Sequence, residues 1–133
     1  MVHIRRQDYL KLGHDLNEEY YINALTKAKS LIKDFHFDVF TDDEEWVKSK
    51  LIFHDSKNIY SPKTINENKF QIIDTFSKML KYQNFIIANS SFSYMAAHLG
   101  STKTSKVLYP KPWFRNKDKN ISIDSTWIPI KAV

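Results

Sequence analysis

An α/β fold, built as a parallel sheet flanked by helices, is predicted by three observations. Short β-branched or aromatic runs alternate with segments of helical apolar spacing along the chain. The 133 residues suit one domain with a core of its own. No repeat, low-complexity tract or linker divides them.

Val2-His3-Ile4-Arg5 reads as the first strand, and Asp8 to Asp15 as a polar loop after it. Asn17 is a good N-cap for a helix. Glu18 and Glu19 suit its positive start, and Lys27, Lys29 and Lys33 its end. Tyr21, Ala24, Leu25, Ala28, Leu31 and Ile32 recur at helical spacing and give that helix one apolar face. Phe37 to Phe40 is the next strand. Thr41 and Asp42 then read as the cap of a short helix through Trp46 and Val47. Leu51-Ile52-Phe53 is the candidate third strand, and Ser56 to Thr64 a loop. A helix is predicted from Ile65 or Asn66 to Lys81, with Phe70, Ile73, Phe76 (or Ser77) and Leu80 on one side. Phe85 to Ala88 is a buried-strand candidate. A helix capped by Ser90 or Ser91 follows and ends at Gly100 by C-cap logic. Val107-Leu108-Tyr109 is a last short strand, and Trp127 to Ile130 an apolar tail that docks.

Composition removes several chemistries. There are no cysteines, which excludes disulfides, thiolate zinc sites and Cys nucleophiles. The two glycines, Gly13 and Gly100, cannot form a Gly-rich phosphate loop, so any phosphate must be gripped by side chains and helix ends. No stretch approaches the roughly 20 apolar residues of a membrane helix, and the start of the chain lacks a signal-peptide core. A cytoplasmic location is the simplest expectation. The net charge of +5 lies entirely in residues 101–133, which hold seven basic residues against Asp118 and Asp124. Such an end reads either as a solvated lysine-rich segment or as a surface for peripheral contact with the inner face of a membrane. It also contains Trp113, Phe114 and Trp127. No nucleic-acid motif accompanies them, and no nucleic-acid partner is expected.

Three constellations stand at predicted strand ends, where ligands bind in such sheets. The first is His3-Ile4-Arg5-Arg6-Gln7-Asp8-Tyr9. Arg5 and Arg6 would place two guanidinium forks at the ligand edge, with Asp8 orienting one of them; guanidinium matches phosphate bidentately. A surface basic pair held by a salt bridge is the alternative. The second is Thr41-Asp42-Asp43-Glu44-Glu45, whose acids are explained by capping and the helix dipole, so no metal site is assigned. The third is Asn89-Ser90-Ser91, three small polar residues between a strand and a helix. They read as an anion site at a helix N-terminus or as an ordinary cap.

In this order, the three stretches resemble the alpha-1,2-fucosyltransferases, family 11 of the glycosyltransferases. Lys111-Pro112-Trp113-Phe114 and Trp127-Ile128-x-Ile130 also fit that family's ending, so the resemblance covers nearly the whole chain. It implies an inverting transfer of fucose from GDP-fucose to a galactoside hydroxyl in surface glycan synthesis, without a metal or other cofactor. It also implies two facing Rossmann-like domains, the GT-B arrangement. Residues 1–133 match the C-terminal, donor-binding one as a single domain, and the N-terminal acceptor domain is absent, whether lost or supplied as a separate half. His3, Arg5 and Arg6 would lie at the GDP pyrophosphate. One arginine would neutralise charge on the leaving phosphate, and Ser90 and Ser91 would hold it from the helix end. Asp42 and Asp43 match the family's second motif and carry no catalytic role. Three positions depart from the pattern. Gln7 stands where Gly is usual, and Tyr94-Met95 where a Trp pair is common. Asp74 stands one residue before Thr75, the position near which the family has an acid that reads guanine. The alternative reading is a non-catalytic interaction module that keeps the fold without the chemistry.

Overall fold

The computed structural model describes residues 1–61, 71–115 and 121–133. Among these residues, six strands form one sheet: β1 (Val2–Ile4), β2 (Val39–Thr41), β3 (Ile59–Tyr60), β4 (Phe85–Ile86), β5 (Val107–Lys111) and β6 (Ile128–Lys131). Every pairing is parallel and the order is β3-β2-β1-β4-β5-β6. The chain runs outward from β1 in one direction, then returns and runs outward from β4 in the other. This is the doubly wound, Rossmann-like arrangement, and its switch point lies between β1 and β4. The predicted α/β class is the one observed.

Among the described residues, five α-helices flank the sheet: α1 (Gln7–Leu12), α2 (Glu18–Leu31), α3 (Glu44–Ser49), α4 (Gln71–Met79) and α5 (Ser91–Gly100). Side chains alternate across a strand, so β1 serves two cores. Val2 and Ile4 pack with Tyr20, Tyr21, Ala24, Leu25 and Ala28 of α2 and with Val47 and Phe53. Met1 belongs to the opposite layer, with Met79 of α4, Ala96 and Ala97 of α5, and Trp113 and Trp127.

The two tyrosines of α2 do more than fill space. β1 and β4 are paired at a single position, Val2 with Ile86, and then part. The carbonyl of His3 is left without a ladder donor and accepts from the Tyr21 hydroxyl at 3.4 Å. On the other side of β4, the register that pairs Ile86 with Leu108 puts residue 110 opposite the Ile87 carbonyl. Residue 110 is proline, which has no N–H to give. The Tyr20 hydroxyl donates to that carbonyl instead, at 2.6 Å, from a fully buried position. A buried carbonyl without a partner would cost about 1–3 kcal/mol. The Tyr21 hydroxyl thus serves a carbonyl exposed where β1 and β4 part, and the Tyr20 hydroxyl one that Pro110 leaves without a donor between β4 and β5.

The helix capped by Asn17 is observed, with the Asn17 side chain accepting from Tyr20 N–H. Trp127 to Ile130 docks as predicted, with Ile128–Lys131 as strand β6 and Trp127 buried just before it. Several expectations are corrected. Residues 8–15 are not a loop throughout: α1 occupies their first half and closes on Gly13, whose φ of 65° is the left-handed cap geometry. Leu51–Phe53 is a 3₁₀ turn that buries Phe53, and the third strand is Ile59–Tyr60, inside the predicted loop. The cap of α3 is Asp43, which accepts from Trp46 N–H at 3.0 Å, one residue beyond Thr41-Asp42. Gly100 is the last residue of α5, not its left-handed cap. A side chain there would be crowded: a Cβ would lie 3.0 Å from the Leu80 carbonyl oxygen and 3.1 Å from the Phe85 ring, so those neighbours would have to give by a few tenths of an ångström. The predicted start of α4 and Phe70 fall outside the described residues, as do Lys117 and Lys119. Among the described residues, no helix is long and apolar enough to cross a membrane.

Candidate active site

A cavity of about 420 Å³ opens at the C-terminal edge of the sheet beside the switch point. This is the size of a small-molecule site, roughly 300–1,000 Å³. β1 contributes His3 and, just past its end, Arg5; the same connection supplies Asp8 and Tyr9 of α1. Phe40, Thr41 and Asp42 come from the end of β2, and Tyr60 and Ser61 from the end of β3. The other wall is Gln71, Ile72 and Thr75 of α4 with Ser90, Ser91 and Phe92 at the start of α5.

Strand alternation divides the arginine pair. Arg5 follows His3 by two residues and shares its face, so both line the cavity. Arg6 leaves on the other face. Its guanidinium lies 4.1 Å from the centre of the Trp46 ring, within 3.2 Å of Asp43 and 3.5 Å of Asp15, and only 12% of its side chain is exposed. The expectation of two forks at the ligand edge is thus met by one fork in the cavity and one in an ionic and aromatic nest behind it. Asn89 is also held behind the cavity. Its side chain donates to the His14 carbonyl at 2.8 Å, and its backbone carbonyl accepts from the Tyr9 hydroxyl at 3.1 Å.

Arg5 is aimed by two acids. Asp8 receives its Nε at 2.9 Å and its Nη2 at 3.0 Å, and Asp42 lies 3.4 Å from Nε. Burial opposes the guanidinium's charge, but the Asp8 bond and the Asp42 and Asp8 charges outweigh it and raise the pKa. The same bond to Arg5 holds the Asp8 carboxyl below its usual range. Asp42 has a second task. Its two oxygens accept from the backbone N–H groups of Arg6 at 2.8 Å and Gln7 at 3.2 Å. These are donors at the start of α1, where Arg6, the N-cap residue, supplies no side-chain cap of its own. The turn after β2 therefore caps the helix after β1, which fixes Arg5 and Asp8 relative to one another.

Across the cavity, Ser90 caps α5 by accepting from Phe92 N–H at 3.3 Å, and Ser91 is exposed beside it. The unbonded N–H groups of a helix start favour an anion. His3 is buried next to Phe92, with ring centres 6.0 Å apart, and its Nδ1 has no hydrogen-bond partner among the described residues. Burial, and then the positive charge of Arg5, push its pKa down to about 3. It is a neutral imidazole in the native protein, so it contributes hydrogen-bonding capacity and no charge.

That burial carries a pH signature. An unfolded histidine titrates near 6.5. Below that value the unfolded chain binds a proton that native His3 refuses, so the stability present above pH 6.5 is lost as the pH falls toward 3. The expected slope is about 1.4 kcal/mol per pH unit. Urea unfolding at pH 7.5 and 5.5 should show the wild type losing about 1.4 kcal/mol more than His3→Gln over that interval. Parallel losses in the two proteins would refute the assignment.

Phe40, Tyr60, Ser61, Ile72 and Phe92 were not anticipated as cavity residues. Tyr60 ends a two-residue strand, too short to register as a period, and Ser61 follows it. Among the described residues, no basic residue of 101–133 lines the cavity. Lys111 and Lys131 are neighbours in register on β5 and β6, and Arg115 donates to the Asp15 carbonyl.

Comparisons with known proteins add three findings. The family described as glycosyl transferase family 11 matches residues 1–131. An alpha-1,2-colitosyltransferase of Escherichia coli is 35% identical over 127 residues, covering 90% of this chain and 42% of that enzyme. The O-antigen biosynthesis glycosyltransferase WbnK of Escherichia coli is 31% identical over 133 residues, covering 96% of this chain and 43% of that protein. The chain thus spans less than half the length of these curated relatives. No solved structure matches it.

Proposed function

The chain belongs to glycosyl transferase family 11, and from that premise we propose that it forms the donor-nucleotide half of an inverting transferase that moves fucose from GDP-fucose to a galactoside hydroxyl. The observation that carries this reading is the cavity itself. One fixed guanidinium and the N-terminus of a ten-residue helix line the same space at the switch point of the sheet, where nucleotides bind in doubly wound folds.

In this reading Arg5 meets the diphosphate with the side of its fork that Asp8 and Asp42 leave open. Ser91 and the first N–H groups of α5 approach from the other wall. As the acceptor oxygen attacks the anomeric carbon, the bond from that carbon to the phosphate oxygen breaks and negative charge collects on GDP. A positive group already held in place stabilises that charge without reorganising. Arg5 and the helix end then carry the role that a metal serves in other transferases. The second half of the active site, with the acceptor pocket, would come from a part corresponding to the rest of the relatives' length.

The name of the 35% identical relative favours a second donor, colitose, in place of fucose. Calorimetric titration with GDP, GDP-fucose and GDP-colitose, together with a transfer assay on galactosides, tests both. Saturable binding of GDP and of one GDP-sugar over the other is the expected outcome. Folded protein that binds none of the three at millimolar concentration would defeat the donor-site reading. Binding without transfer, persisting after a part corresponding to the rest of the relatives' length is supplied, would favour the non-catalytic module.

A further inference from the structure

Two walls of the cavity belong to different halves of the sheet. Arg5 and Asp8 follow β1, while Ser90, Ser91 and Phe92 follow β4. β1 and β4 share one paired position, Val2 with Ile86, and the pairing goes no further. Arg5 stands beyond that pair by about 10 Å of extended chain. The ladder therefore does not fix the gap between the guanidinium and the start of α5.

Two hydrogen bonds cross at that level, and both end on Asn89. The Tyr9 hydroxyl donates to the Asn89 carbonyl at 3.1 Å, and the Asn89 side-chain amide donates to the His14 carbonyl at 2.8 Å. α1 makes this double grip possible. It closes on the left-handed Gly13, and the chain turns back so that His14 N–H donates to the Tyr9 carbonyl at 2.9 Å. The two rings then meet edge to face, with centres 6.1 Å apart. Tyr9 and His14 form one unit that holds Asn89 from two directions. Asn89 is buried, so water does not readily replace these bonds. The next residue is Ser90, the cap of α5.

The same unit reaches Arg5. The guanidinium carbon lies 5.8 Å from the centre of the Tyr9 ring, and Asp8, the residue before Tyr9, holds that guanidinium. A single side chain thus touches the cation of one wall and the turn that carries the other.

We infer that Tyr9 is a positioning residue of the donor site: together with Asn89 it clasps the start of α5 to Arg5 and sets the gap that a diphosphate spans. The inference rests on the donor-site reading above. Asn89 then acts through the clasp and not by touching the donor. Two anchors that must meet one ligand depend on their spacing. The signature of the clasp is therefore coupling between Tyr9 and Arg5.

The test is a double-mutant cycle of wild type, Tyr9→Phe, Arg5→Ala and the double variant. Each is titrated calorimetrically with GDP and with inorganic pyrophosphate, after thermal melting confirms that it is folded. Phenylalanine keeps the ring beside Arg5 and removes only the hydroxyl. Tyr9→Phe is expected to weaken both ligands by about five- to tenfold, the worth of one hydrogen bond. Without Arg5 the same change should cost less than about twofold, because no spacing to the arginine is left to set. A loss of stability alone would not produce that dependence. A folded Tyr9→Phe protein that binds both ligands as the wild type does overturns the inference and leaves the donor site standing. So does a loss that persists in full in the Arg5→Ala background. Wild-type protein that binds neither ligand removes the donor-site reading and this inference together.

Discussion

Arg5→Ala is expected to weaken GDP binding by about 100-fold. A hydrogen bond to a charged group is worth about 1.5–3 kcal/mol, which corresponds to roughly 10- to 150-fold in affinity. The upper part of that range applies here because the substitution has a second consequence. Asp8 and Asp42 lose the cation they share, and two uncompensated carboxylates then face an incoming diphosphate. Arg5→Lys keeps the charge but loses the planar fork, and an intermediate loss of about tenfold is expected. Stability should change little. The Arg5 side chain is 39% exposed and its partner Asp8 53% exposed, and such pairs contribute about 1 kcal/mol or less. Titration with GDP, paired with thermal melting, separates these effects. A folded Arg5→Ala protein with wild-type affinity would remove Arg5 from the site.

Arg6→Ala should behave in the opposite way. Here the expected loss is in stability, about 2–4 kcal/mol, with GDP affinity in the folded protein reduced by less than about tenfold. The guanidinium lies over Trp46 and contacts Asp43 and Asp15, all largely shielded from solvent. Truncation leaves two acids close together and an indole face bare. The residual effect on binding follows from position. Asp43 caps α3 and adjoins Asp42, which caps α1 and aims Arg5. Arg6 therefore acts on the ligand through the turn after β2. Urea unfolding measures the first effect and calorimetry the second. An Arg6→Ala protein as stable as the wild type yet unable to bind GDP would place this residue in contact with the donor.

Much of this architecture is legible locally. Asn17, followed by two acids and an apolar stripe, marks α2 because capping and helical spacing act within a few residues. Ser90 marks α5 for the same reason. The failures share a cause. α1 has no buried residue and no cap of its own; the carboxylate that caps it comes from Asp42, 36 residues away. β3 has two residues, and only pairing with β2 makes it a strand. Leu51-Ile52-Phe53 has strand composition, yet lies against α2 and α3 with Phe53 as its buried anchor, where a tight turn fits. Gly100 ends α5 where the Leu80 backbone and the Phe85 ring pass close by, a proximity held in no local pattern.

The sequence by itself determined the class of fold, the strand ends that carry chemistry and the polar groups placed there, because alternation of strand and helix and the chemistry of arginine and serine are properties of short segments. Tertiary structure alone decided which of those groups share a cavity. Arg5 and Arg6 are equivalent as letters, but successive residues leaving a strand point to opposite faces. The register that pairs Val2 with Val39 and Ile86 then brings one face to Ser91 and Thr75 and the other to Trp46 and Asp43. The division of labour between the two arginines follows from that pleat.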